Sequence, residues 1–274
     1  MIHHINENMS KTTIDTIHCL LKKNTGVYAY EFLHSVKRII SKADYHYYMG
    51  VYYLEYGKIR WLYDHTYIES SVSRRRARKH IKIAAKHRPK DPAIHFALGE
   101  SYFRENRFDR AIACYQTAYN GDQTNKHIYW CIIETYYLMN QYDEVVKRGR
   151  NFIDQIDQQL SDIDFWILVT TMYAACYLNE FSLLDHILSM ISLPIDCIQI
   201  DLAAISLIEL NCICGNYAMA KKLYKRYNSE IRYVSSLCKD WLADDGSITP
   251  WNSQENTAVL ASFSPKGLVP HFND

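Results

Sequence analysis

Residues Pro92–Tyr119 read PAIHFALGESYFRENRFDRAIACYQTAY, and their spacing decides the fold. Leu98, Gly99 and Tyr102 fall on neighbouring turns of one helix, so the small Gly99 lets a second helix approach between larger side chains. Ala111, Tyr115 and Ala118 repeat the device on a second helix. Between them Glu105, Asn106 and Arg107 form a polar turn, and Asn106 tolerates the left-handed conformation that often ends a helix. The stretch predicts a helical hairpin, which cannot bury its apolar faces alone.

The order Leu98-Gly99, Tyr102, Phe108, Ala111, Tyr115, Ala118 resembles a tetratricopeptide repeat. Members of that family stack antiparallel helix pairs of about 34 residues into a right-handed superhelix with a concave groove. The resemblance implies an all-α, right-handed superhelical solenoid. It also implies a non-enzymatic scaffold for a protein or peptide partner, such as an adaptor, a chaperone or an assembly subunit.

The pattern extends both ways. At a 34-residue offset, Tyr129, Ile132, Tyr136, Asn140, Tyr142 and Val145 repeat the positions of His95, Leu98, Tyr102, Asn106, Phe108 and Ala111. Upstream, Gly50 and Tyr53 match Gly99 and Tyr102, while Ala77, Ile81 and Ala84 match a second helix. Gly50 lies 27 positions from Ala77 where Gly99 lies 12 from Ala111, so an insertion around Lys58 to Ser73 is expected, as longer helices or a protruding loop. Trp166, Val169 and Tyr173, with Leu183, Ile187 and Met190, suggest a fourth unit. Leu207, Asn211, Gly215, Asn216, Tyr217, Ala220, Tyr224 and Tyr227 suggest a fifth. The expected organisation is an N-terminal helical cap or cryptic repeat over residues 1–42, resting on Ile14, Ile17, Leu21, Phe32, Val36 and Ile39. About five hairpins follow over 43–228, then a capping helix over 229–242 and an extended or disordered tail over 243–274.

Composition agrees with a helical array. The 274 residues include only nine glycines and six prolines, against 23 tyrosines, whose rings pack while their hydroxyls stay wet. A formal net charge of +1 gives no bulk electrostatic pull toward nucleic acid or a membrane. No run approaches the roughly 18 apolar residues of a membrane span, and the N-terminus lacks the order of a secretory signal. The expectation is a soluble, cytoplasmic protein without membrane insertion, nuclear as the alternative in a eukaryote. The eight cysteines sit mostly in apolar helical stretches and read as reduced core residues.

In the tetratricopeptide family first-helix residues line the groove. The corresponding positions are Tyr47, Val51, Phe96, Glu100, Phe103, Trp130, Glu134 and Tyr137, with Ile167, Thr171 and Glu209 further on. The set is aromatic with acidic interruptions, which suits an apolar peptide carrying a Lys or Arg. It lacks the Lys, Arg and Asn with which some members clamp chaperone C-termini. Over Asp44 to Phe152 it is similar to the chaperones of type III secretion translocators. Self-association, or docking of the tail through Trp251, Phe263 or Phe272, are alternative uses of the groove.

The run Arg74, Arg75, Arg76, Arg78, Lys79 and Lys82 is the one concentrated charge in the sequence. As an anion-binding face it would make residues 74–88 the contact of a regulatory, nucleic-acid-associated protein. Ala77, Ile81, Ala84 and Ala85 give the same helix a buried stripe, so a solvated outer helix is the favoured reading and nucleic acid the less favoured partner. No phosphate-cradling loop, nucleophile elbow, catalytic pair or metal-ligand spacing is present. No cofactor, metal or catalytic residue is therefore expected; Cys212 and Cys214 lack a second ligand pair.

Overall fold

The computed structural model describes residues 2–22, 26–56, 58–60, 67–69, 71–156, 160–191 and 200–227. The expected capping helix and tail beyond residue 228, with Cys197 and Cys238, lie outside them. The chain divides into two compact units, Met1–Tyr129 and Trp130–Phe272.

The first unit holds α1 (Ile2–Lys22), α2 (Gly26–Ser35), α3 (Lys42–Tyr56), strands β1 (Lys58–Arg60) and β2 (Tyr67–Glu69), α4 (Ser71–His87), α5 (Pro92–Phe103), α6 (Phe108–Gly121) and the start of α7 (Lys126–Leu138). Helix α3 packs on α4, α4 on α5, and α5 on α6. The Asp91 carboxylate caps α5, accepting from the N–H groups of Ala93 at 3.0 Å and Ile94 at 3.4 Å. Pro92 fills the first helical position, where no N–H is needed. Gly50 faces Ile81, and Gly99 faces Tyr115, the close approaches on which α3–α4 and α5–α6 depend.

The insertion takes a form the helical periodicity did not signal. Between α3 and α4 the strands pair antiparallel, with Lys58 opposite Glu69, Ile59 opposite Ile68 and Arg60 opposite Tyr67. Isoleucine and tyrosine favour the extended conformation. The regular structure of the described residues is thus helical apart from this short hairpin.

Phase and length differ from expectation near the N-terminus. Helix α1 starts at Ile2, well before Ile14, the first apolar position on which the expected cap rests. Helix α2 ends at Ser35 and gives way to a turn, so Ile40 is buried while the expected Ile39 is 51% exposed. Ile17, Leu33, Val36, Tyr45, Tyr48 and Met49 form the core there.

The second unit contains the rest of α7, then α8 (Tyr142–Ile153), α9 (Asp162–Tyr177), α10 (Phe181–Met190), α11 (Ile200–Ile213) and α12 (Tyr217–Tyr227). Helix α9 packs on α8, α10 and α11, and α11 on α12. A capping box opens α9: Ser161 Oγ accepts from the Asp164 N–H, and the Ser161 N–H donates to Asp164 Oδ2 at 3.0 Å. Leu207, Ala220 and Tyr227 are buried as expected, but Tyr224 is exposed and Leu223 takes its place.

One backbone solution ends α5, α7, α9 and α11. Asn106, Asn140, Asn179 and Gly215 have φ of 56°, 58°, 57° and 75°. Each donates its N–H three residues back, to Phe103, Tyr137, Cys176 and Cys212 respectively. The next residue donates five back, to Tyr102, Tyr136, Ala175 and Asn211, at 2.8–3.0 Å. Orphan carbonyls at the helix end are thereby satisfied. In each case an aromatic residue two positions on, Phe108, Tyr142, Phe181 or Tyr217, begins the following helix.

Candidate functional site

Within the first unit, α3 and α5 are in contact and between them carry five of the expected groove residues. Arg104, just past α5, ties the pair: its Nη1 donates to the Leu54 carbonyl at 2.7 Å, and its Nη2 reaches Glu55 Oε1 at 3.5 Å. Periodicity does not single out Arg104, because its partners are set by the turn of the neighbouring hairpin. A charged residue one step after the apolar Tyr102–Phe103 pair is the signal it leaves.

On α3, Tyr47 is half-buried and packs against Tyr48 with ring centroids 5.0 Å apart. Burial pushes its phenol pKa up. Val51, one turn on, is also half-buried. On α5, Phe96 lies between Tyr115 at 5.7 Å and His127 at 5.2 Å, and burial pushes the His127 imidazole pKa down. Glu100 accepts a hydrogen bond from the Tyr115 hydroxyl and stands 3.8 Å from Arg104 Nε. Phe103 meets Phe108 edge-on at 5.6 Å. All five expected residues of this unit keep part of their surface open.

The three on α7 differ. Trp130, Glu134 and Tyr137 are only 3%, 5% and 3% exposed, so their side chains do not offer the open contact surface expected of them. For Tyr137 the reason is local: its ring abuts Tyr142 at 5.4 Å and Tyr177 at 6.2 Å, and those two stack at 4.1 Å. Ile167, Thr171 and Glu209 are buried too; Thr171 donates to the Ile167 carbonyl at 2.8 Å, and Glu209 accepts from Tyr173 at 3.1 Å.

The basic run forms most of α4, and its charges disperse. Ala77, Ile81 and Ala84 are fully buried. Arg74 Nη1 donates to the Arg104 carbonyl at 3.4 Å, Arg76 lies over Tyr53 at 5.8 Å, and Arg78 pairs with Glu105. Arg75, Lys79 and Lys82 are exposed. The expected anion face is thus split, because the helical period that buries the alanine stripe turns Arg74 and Arg78 toward the α5–α6 hairpin.

Among the described residues no group of three or more His, Cys, Asp or Glu side chains could hold a metal ion, and no helix is long and apolar enough to cross a membrane. Cys131, Cys176 and Cys212 are buried thiols. In the second unit a cleft of ≈ 800 Å³ opens beside α10, α11 and α12, bordered by Leu188, Ile191, Leu207, Tyr217 and Met219.

A family model described as YpiA-like, tetratricopeptide repeats, matches residues 76–123, from the middle of α4 through α6. A comparison with curated proteins finds no match.

Proposed function

We propose that this chain, which carries tetratricopeptide repeats over residues 76–123, is a non-enzymatic scaffold that holds a peptide segment of a protein partner along α3 and α5. Such repeats generally mediate protein–protein interaction. The observation that carries the finer reading is the partial exposure of Tyr47, Val51, Phe96, Glu100 and Phe103 on two adjacent first helices. Large rings that stay half-open on a fixed helical surface give contact area at little entropic cost. Glu100, held by the Tyr115 hydroxyl and close to Arg104, is the acidic member of this set and would select a Lys or Arg on the peptide. Trp130, Glu134 and Tyr137 act in this reading as supports rather than contacts. The architecture that goes with it is the right-handed solenoid of about five hairpins, working as an adaptor, chaperone or assembly subunit.

The test uses the full chain and short synthetic peptides that combine apolar residues with one Lys or Arg. Phe96→Ala together with Tyr47→Ala should abolish peptide binding while far-ultraviolet circular dichroism stays unchanged. Unchanged affinity in a folded variant would overturn the groove.

A further inference from the structure

Four cations surround one ring in the first unit. The guanidinium carbons of Arg78, Arg107 and Arg110 lie 4.9, 5.3 and 5.8 Å from the Tyr102 ring centroid, and Lys82 Nζ lies 5.9 Å from it. Tyr102 itself is 6% exposed, so the ring forms a floor that holds the cations by its quadrupole. One carboxylate answers them: Glu105 pairs with Arg78 and stands 3.9 Å from Arg107 Nη1. Lys82 and Arg110 are exposed and have no ion-pair partner among the described residues. The cluster thus carries four positive charges against one negative.

Its layout says what would neutralise it. Arg78 and Lys82 sit one turn apart on one face of α4, and Arg107, just before α6, lies three positions from Arg110 in its first turn. The four cations thus come as two pairs, from two chain segments, around one ring. An extended segment with spaced carboxylates can meet both pairs. We propose that Lys82 and Arg110, with Arg78 and Arg107 around Tyr102, bind an acidic, Asp- and Glu-bearing segment of a protein partner. This surface is separate from the α3–α5 face, which the function above assigns to an apolar, basic peptide.

The experiment measures anisotropy of labelled probes on the full chain: an Asp/Glu-rich peptide, its Lys-substituted counterpart, a phosphoserine peptide and a single-stranded oligonucleotide. The acidic peptide should bind, weaken with added salt, and lose at least about tenfold in affinity with Lys82→Glu plus Arg110→Glu. Phe96→Ala should leave it unchanged, which separates this surface from the groove. Lys82→Gln plus Arg110→Gln, which introduces no new charge, serves as a second variant and should weaken binding in the same direction. No binding of the acidic peptide, or equal binding by the folded variants, overturns the proposal. So does tighter binding of the oligonucleotide or phosphopeptide that the same variants abolish.

Discussion

Gly99 lies against the ring of Tyr115: a Cβ added there would stand 2.5 Å from both Cδ1 and Cε1. Tyr115 is fully buried, and its hydroxyl is held by Glu100, so the ring has nowhere to go. Gly99→Ala should gain about 1 kcal/mol of helix propensity yet lose more to overpacking, about 1–3 kcal/mol. A lowered urea midpoint with an unchanged denaturant slope checks the prediction; a midpoint above that of the parent would show that α6 can shift away.

Three helix ends place a side chain in left-handed backbone: Asn106, Asn140 and Asn179. An alanine there meets the steric cost of about 1–2 kcal/mol that glycine avoids and asparagine offsets by local hydrogen bonding. Each Asn→Ala change should therefore lower stability by about 1 kcal/mol, while each Asn→Gly should be neutral or stabilising. Thermal melts of the six variants decide it, since a mere loss of side-chain contacts would make Gly and Ala equally damaging.

These turns also explain how much of the molecule could be read in advance. Asn106 was legible from its own complete repeat, and Asn140 as its counterpart 34 positions on, where the aromatic spacing survives although Ile133 stands in place of the glycine. Asn179 was not, because its repeat has lost the glycine and most of its aromatic spacing; the surviving signal is Asn followed two residues later by Phe181. The site is harder. Helical periodicity tells which face Trp130, Glu134 and Tyr137 occupy, but not what covers that face. For Tyr137 the cover includes Tyr177, forty positions away on α9. The β1–β2 hairpin left no helical phase to follow, and the dispersal of Arg74, Arg76 and Arg78 depends on partners on α3 and in the turn between α5 and α6.

His46 and His80 join α3 to α4 through a ring-to-ring hydrogen bond, Nδ1 to Nδ1 at 2.9 Å, in which one imidazole donates and the other must stay unprotonated to accept. Burial lowers both pKa values; Lys42, His87 and Lys37 lower that of His46 further, and His46, Lys79, His34 and Lys37 bring that of His80 to about 4. Between about 4 and the ordinary 6.5 the unfolded chain binds more protons than the folded one. Stability from this pair is complete above pH 6.5 and lost as pH falls toward 4. His80→Phe, which suits a site beside Tyr45 and Tyr53, should flatten that fall in urea midpoints. An equally steep fall in the variant would assign it to other groups.

Glu209 titrates with the opposite sign. It is 7% exposed, accepts from the Tyr173 hydroxyl at 3.1 Å, and burial raises its pKa from 4.5 to about 7. The folded chain therefore keeps a proton through a range in which the unfolded chain has lost it. Stability should fall as pH rises from 4.5 through 7 and then level off. Glu209→Gln keeps the volume and an acceptor for Tyr173 but cannot ionise, so its urea midpoint should match the parent at acidic pH and exceed it above neutrality. Tyr173→Phe removes the hydrogen bond that favours the carboxylate. Its acid should hold the proton longer, carrying the loss of stability to higher pH. The His46–His80 contribution, lost as pH falls from 6.5 toward 4, and the Glu209 contribution, lost as pH rises from 4.5 through 7, overlap with opposite signs and offset each other. Glu209→Gln should therefore unmask the fall on acidification, and His80→Phe the fall toward neutrality. A pH profile of urea midpoints unchanged by Glu209→Gln would mean that Glu209 is ionised in the folded chain at all these pH values.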